Sequence, residues 1–385
     1  MAGVANINQA GAVTNINQSS QNAAINWQSF GVQAHETVNF NQPNANAITL
    51  NRVLGNEKSV IDGAMNANGK VFIQNANGTL IGKNAQINVG GLVATTGNIS
   101  DDDFMNGRYQ FHGATGSVEN LGQITVPEGG VVALIAPIVK NSGKITAPKA
   151  NVLLASAESF SITLPDSGSF AYTLDKGTLQ GMVDNGGAIL ADGGHVVLTA
   201  RGVDTVKKSL IKHSGIIEAN TVQNNNGVIE LLGDLDNSQL TVSGTLKAEA
   251  KEGGDGGFIE TSAAKLDITD KAVVSTKAEN GKTGTWLIDP KDFTVAASGG
   301  DMTGADVTTG LQSNNVTLKS RDGAKEGKGD VIINDEISWS QNTLTLNAEN
   351  DIHINKTLTG SGTAKLALEY GHGSAAGGEG DYYLD

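Results

Sequence analysis

The chain has 385 residues, 50 of them Gly, 6 Pro and none Cys, with hydrophobic residues at 38% and aromatics at only 4%. A net charge of −14 and a pI near 4.8 exclude the basic stripe of a nucleic-acid-binding surface. No run reaches the roughly 18 apolar residues that a membrane-spanning helix needs. A chain rich in Gly and Asn, both tolerant of positive φ, and threaded with Val, Ile, Leu and Thr is expected to alternate short strands with tight turns around an aliphatic core.

Residues 1–24 hold an echo, Asn6-Ile7-Asn8-Gln9 and Asn15-Ile16-Asn17-Gln18. It reads as two strands of a small sheet capping a solenoid, whose uncovered end would be an aggregation-prone edge. Trp27 and Phe30 are expected to pack between this cap and the first coils. Asn75-Ala76-Asn77-Gly78 reads as a turn, with Asn and Gly suited to positive φ.

From Leu121 a glycine-first unit recurs. Gly122-Gln123-Ile124, Gly143-Lys144-Ile145, Gly187-Ala188-Ile189, Gly215-Ile216 and Gly244-Thr245-Leu246 each precede a second apolar strand, such as Val131 to Leu134 or Val152 to Leu154. The period is about 20 residues, in the solenoid range. Ile124, Ile145, Ile189, Ile216 and Leu246 share one slot after Gly or Gly-X, and no 3.6-residue period competes. Stacked coils would pair each strand with its copy in parallel at about 4.8 Å. Asn residues at equivalent turns would form hydrogen-bonded ladders.

Two stretches interrupt the repeat. Residues 97–118 carry Asp101-Asp102-Asp103 and then Tyr109-Gln110-Phe111, a polar loop with a strand. Residues 158–184 carry Ser159 to Leu164 and Ser169 to Leu174 around Pro165-Asp166-Ser167-Gly168, an antiparallel hairpin outside the solenoid. Val203 to Lys212 is the best helix candidate. Beyond Lys265 the coils continue less regularly; Gly284 to Pro290 reads as a strand and stop, and more coils are expected after Asp385.

The six His residues, at 35, 112, 195, 213, 353 and 372, show no metal-site spacing, and no phosphate-binding loop or nucleophile elbow is present. Asp101 to Asp103 reads as a solvated run, and Gly377 to Asp381 matches a calcium-binding nonapeptide only once and imperfectly. Glu218, Glu230 and Glu260 fall in similar strand slots, as either aligned or merely solvated carboxylates. No catalytic residue, metal or cofactor is expected.

An ordered series then becomes visible: Ile25-Asn26-Trp27-Gln28-Ser29-Phe30, Val38-Asn39-Phe40, Leu50-Asn51-Arg52-Val53, Gly69 to Gly78, and Ile87 to Thr96. It resembles the N-terminal secretion (TPS) domain of two-partner secretion exoproteins: filamentous haemagglutinin, the high-molecular-weight adhesins and the haem–haemopexin-binding exoprotein. The family's Asn-Pro-Asn-Gly-Ile motif matches at Asn75, Asn77 and Gly78 and departs at Ala76 and Thr79. The resemblance implies a targeting turn at Asn75, Asn77 and Gly78, with Asn51 and Arg52 as secondary recognition residues. It implies recognition in the periplasm of a Gram-negative bacterium by the POTRA domains of an outer-membrane TpsB-type β-barrel transporter, then secretion to the cell surface or beyond.

The expected architecture is all-β: a right-handed parallel β-helix with an N-terminal β cap and extra-helical antiparallel hairpins. The secretion domain is expected over residues 1–260, with the cap at 1–24 and excursions at 97–118 and 158–184, and continuing coils over 261–385. A monomer is expected, with no nucleic-acid partner. The alternatives are an adhesin module binding host surface ligands and a polysaccharide-active β-helix enzyme.

Overall fold

Each glycine-first unit puts a residue without a side chain where two coils touch. In the computed structural model, which describes residues 1–164, 170–202, 209–290, 292–320, 328–372 and 380–385, a Cβ on Gly143 would sit 2.2 Å from the Gly122 carbonyl oxygen. One on Gly187 would sit 2.2 Å from that of Gly143. The repeated glycine therefore answers a close backbone approach that any side chain would prevent.

By internal contacts the chain forms two units, Met1–Val203 and Asp204–Asp385. In the first, three parallel stacks succeed one another around each coil. One runs through Thr37–Asn41, Ala64–Ala67, Gln86–Asn88, Gln123–Thr125, Lys144–Thr146 and Ala188–Leu190. The second runs through Asn22–Trp27, Ile48–Val53, Lys70–Gln74, Gly91–Thr95, Val131–Ile135, Asn151–Ser156 and His195–Ala200, and the third through Ser59–Ile61, Thr79–Ile81, Ser117–Asn120, Ile138–Asn141 and Met182–Asn185.

Strand alternation then decides what lies inside. Ile87, Ile124, Ile145 and Ile189 align in register and are fully buried. Leu134, Leu154 and Leu198 do the same in the second stack, and Val118, Val139 and Val183 in the third. Burying each such side chain contributes about 1.5–3 kcal/mol. This is a parallel β-helix; its right-handed sense is that of nearly all parallel crossovers.

The N-terminal echo forms an antiparallel hairpin, Ala5–Ala10 with Val13–Gln18, and the second strand pairs in parallel with Thr37–Asn41. Residues 22–27 already belong to the coils. Trp27 and Phe30 pack on each other with ring centroids 5.4 Å apart.

The two interruptions join. The strand Tyr109–Phe111 pairs with Ser159–Thr163, which pairs with Ala171–Lys176, giving one antiparallel sheet. The hairpin's turn, 165–169, lies outside the described residues. The expected polar loop at 97–118 also contains a helix, α1 (Asp101–Met105), capped by Ser100, whose hydroxyl accepts the Asp103 N–H at 3.0 Å. The acidic run is thus a first helical turn, where carboxylates favour the positive end of the dipole. The Ser100 hydroxyl and the Arg108 guanidinium hold the Asp103 carboxyl below the usual range. Phe104, Tyr109 and Phe111 lie with ring centroids 6.0, 5.3 and 6.4 Å from Phe72, and Phe111 stacks on Phe160 at 4.9 Å. In this part of the second stack the strands are buried on both faces: Gly91–Thr95 and Val131–Ile135 are buried throughout.

The second unit repeats the plan through Ile216–Glu218, Thr245–Lys247 and Val273–Ser275, through Ser209–His213, Ser238–Val242 and Lys265–Ile268, and through Val228–Gly233, Phe258–Ser262, Thr285–Ile288, Asn315–Lys319, Thr343–Asn347 and Lys365–Glu369. Two sequence expectations are corrected here. The inward residue of the shared slot is Ile217, which pairs with Leu246, while Ile216 is exposed; the slot follows Gly-X, and a one-residue offset turns a side chain outward. The helix expected over 203–212 is not one at its C-terminal end. Residues 209–213 form a strand whose Ser209, Ile211 and His213 face inward with period two, and 203–208 lie outside the described residues. A helix not foreseen, α2 (Gly304–Gly310), starts at a capping box of Thr303 and Asp306. The expected strand before Pro290 is present, and the Trp286 indole N–H donates to the Thr261 hydroxyl at 3.1 Å.

The expected Asn ladders are present. At the ends of third-stack strands, Asn120 donates to Asn141 at 2.8 Å and Asn141 to Asn185 at 2.7 Å, all three fully buried. A second ladder runs Asn88, Asn66, Asn39, Asn15 on the outer side of the first stack. Replacing Asn141 with Ala removes the acceptor of the buried Asn120 amide N–H and one donor to the Asn185 side-chain oxygen. The expected loss is about 2–3 kcal/mol, read as a lower denaturant midpoint at unchanged slope; an unchanged midpoint would show the ladder to be energetically idle.

Candidate functional site

The Asn75 to Gly78 turn connects Lys70–Gln74 to Thr79–Ile81. The Gly78 N–H donates to the Asn75 carbonyl at 2.9 Å, closing a β-turn, and the Asn75 side-chain oxygen accepts the Asn77 N–H, also at 2.9 Å. Only Gly78 takes a positive φ, +104°; Ala76 and Asn77 do not. That excludes the turn types with a left-handed central residue, and Asn first and Gly last suit type I. The expectation that Asn would also use positive φ is corrected: the Asn side chains build the turn by hydrogen bonding instead.

Asn75 is fully buried, and its amide donates to the Glu57 carbonyl at 2.9 Å and the Ser59 hydroxyl at 3.0 Å. Asn77 donates to the Gly55 carbonyl at 2.9 Å. The Ala76 carbonyl accepts from the Thr115 hydroxyl at 2.8 Å. A Cβ on Gly78 would meet the Ser117 carbonyl oxygen at 2.8 Å. Alongside, burial pushes the Glu119 carboxyl up, but bonds from Lys58 at 3.1 Å and Ser117 at 2.9 Å outweigh it and leave the carboxyl below the usual Glu range. Glu57, Ser59 and Thr115, 16 to 39 residues from their partners in the turn, were not singled out by the sequence. Their only signal is three-dimensional.

Asn51 and Arg52 sit side by side on Ile48–Val53 but face opposite ways. Asn51 is fully buried, accepts the Trp27 indole N–H at 3.0 Å and donates to the Phe72 carbonyl at 3.3 Å. Arg52 donates to the Ile99 carbonyl at 2.7 Å and pairs with Asp101 at 2.5 Å, with its side chain only 13% exposed. It clasps the start of α1 to the second stack. The two groups are separate: the turn links the second stack to the third, and Asn51–Arg52 supports the helical insertion.

The three carboxylates in similar slots do not form one row. Glu230 and Glu260 are register neighbours, but Glu218 lies in another stack, opposite Lys247 with their charged atoms 3.9 Å apart. The slots look alike in sequence because each coil repeats a similar short strand on every face.

The coil plan, the hairpin cap, the joined insertions and this turn can be set against known proteins. A family model described as the TPS secretion domain matches residues 2–248. The chain belongs to the TPS secretion domain family. This TPS domain is 35% identical over 258 residues to a Heme/hemopexin-binding protein of Haemophilus influenzae, covering 61% of this chain and 27% of that protein. It is 34% identical over 260 residues to the protein of the same name from the Rd strain, covering 65% and 28%. The matched region thus spans little more than a quarter of these curated relatives. The crystal structure of the HMW1 secretion domain from Haemophilus influenzae shares the fold, with a TM-score of 0.66 and 24% identity over 95% of this chain and 98% of that one. A TPS domain is part of a two-partner secreted exoprotein; the family is typically non-enzymatic, and its exoproteins are secreted by Gram-negative bacteria.

The position of Ala76 invites a direct check. It is the second residue of a type I turn, and among the described residues its N–H donates no hydrogen bond. Proline, usual there in the family, is preorganised for that position. Ala76→Pro is expected to stabilise the domain by about 0.4–1 kcal/mol by restricting the unfolded chain, measured by urea unfolding. Destabilisation would mean that the turn is not type I.

Proposed function

We propose that residues 1–260 are the targeting and secretion module of a large exoprotein, and that 261–385 continue the β-helix into the passenger region. The family match carries this reading, since it spans the cap, the insertions and the turn together. In the proposed sequence the POTRA domains of an outer-membrane TpsB-type β-barrel capture the chain in the periplasm. The chain crosses the barrel unfolded and folds at the cell surface.

Burial supports capture before folding. Asn75 and Asn51 are fully enclosed, and Arg52 nearly so. A partner reading these side chains must meet them in the extended chain, where an unpaired strand can add to a sheet edge. The same residues then become turn and clasp. An unstructured peptide spanning residues 48–81 is expected to bind the cognate POTRA domains, with Asn75→Ala weakening it at least about tenfold, and the folded domain is expected to bind more weakly than the peptide. Equal binding of the variant peptide would reduce Asn75 to a structural role, and tighter binding of the folded domain would reverse the proposed order.

Folding outside also supplies direction without a nucleotide in the periplasm. Each finished coil offers a paired edge to the next, and backsliding would undo it. Leu153 pairs with Ala133 on one side and Val197 on the other. Leu153→Pro removes a ladder donor in the middle of this stack. Secreted yield is expected to fall at least about tenfold while periplasmic capture persists, scored by fractionation. Wild-type yield would show that coil stacking does not drive export.

A further inference from the structure

In the second unit, Phe293, Val331, Ile352 and Tyr382 are register partners on successive strands Phe293–Val295, Val331–Ile333, Ile352–Ile354 and Tyr382–Leu384. The residue before each is an aspartate: Asp292, Asp330, Asp351 and Asp381. One oxygen of each of the first three holds the following coil. Asp292 accepts the Gly329 N–H at 2.9 Å; Asp330 accepts the Asn350 amide at 2.7 Å and the Asp351 N–H at 3.1 Å; Asp351 accepts the Asp381 N–H at 2.7 Å. Among the described residues, no Lys or Arg lies within ion-pair distance of these four carboxylates. Carboxylates stacked at coil spacing, about 4.8 Å apart, repel one another.

At one level the column also has an imidazole. His353 lies between the inward-facing Ile352 and Ile354, so it shares the outer side with Asp351. Its register neighbours are Ile332 and Tyr383, so no adjacent coil offers the same donor. The ligand atoms of Asp330, Asp351 and His353 all lie within 4.8 Å of one another. Stacking on Tyr383, with ring centroids 4.9 Å apart and planes at 10°, holds the imidazole plane. The bonds to Asp330 and Asp351 orient the carboxylates in the same way, as supporting groups do around metal ligands.

We propose that Asp330, Asp351 and His353 bind one divalent first-row transition ion, bridging two consecutive coils, with water filling the remaining positions. A mixed imidazole–carboxylate set suits zinc and its neighbours, whereas calcium takes six to eight oxygens. An ion there would offset two of the column's four negative charges and, bound only by the folded chain, would raise its melting temperature.

The test uses the chelator-treated 385-residue chain with Zn²⁺ as probe, followed by titration calorimetry and thermal unfolding. One equivalent of Zn²⁺ is expected to bind and raise the melting temperature. Asp351→Asn keeps an acceptor for the Asp381 N–H, so the coil is preserved while the charge is lost. Asp351→Asn and His353→Ala should each weaken binding at least about tenfold. His35→Ala, outside the cluster, should leave it unchanged. Absence of Zn²⁺ uptake, unchanged affinity in either site variant, loss of binding in His35→Ala, or Ca²⁺ binding as tightly as Zn²⁺ would each overturn the proposal.

Discussion

No coil of this chain can bury its own apolar side chains, and that constraint shapes everything else. A coil of some 20 residues offers a few short strands with one inward face each. Ile145 is dry because Ile124 lies on one side and Ile189 on the other. Parallel register between copies of one strand is therefore the interaction on which the core, the turns and the insertions depend. A one-residue slip would turn an entire column outward, which is why the exposed Ile216 and the inward Ile217 cannot exchange places.

Register brings secondary consequences, because whatever occupies a position in one coil meets its counterpart in the next. Glycine over glycine permits close backbone approach, as at Gly122, Gly143 and Gly187. Asparagine over asparagine satisfies buried amides in a continuous ladder. Aspartate over aspartate joins coils through backbone N–H groups and leaves a column of like charge. The same geometry thus makes some repeats stabilising and others a concentration of charge.

The insertions in the first unit solve a different problem. Strands such as Val131–Ile135 are apolar on both faces, and a bare solenoid would expose one of them. Helix α1 and the three-stranded sheet set Phe104, Tyr109 and Phe111 against Phe72 on the outer face of this stack, with Phe160 stacked on Phe111. Arg52 holds the helix start in place. Asn75, Asn51 and Arg52 thus have structural work in the folded chain, as turn, strand contact and clasp.

The sequence by itself determined the repeating coil, the aliphatic column, the antiparallel hairpins and the turn at Asn75 to Gly78. Each rests on local chemistry: glycine placement, strand alternation and turn residues. Its ordered motifs also carried the family, because they sit at fixed places along such a chain. Only the tertiary structure decided what touches what across tens of residues: that Asn75 bonds to Glu57 and Ser59, that two separate insertions share one sheet, and that Glu218 leaves the row of Glu230 and Glu260. The short α1 and the strand at Ser209–His213 were equally hidden. Five residues are too few for a helical period to emerge, and propensity yields to register where a neighbouring strand already supplies hydrogen-bonding partners.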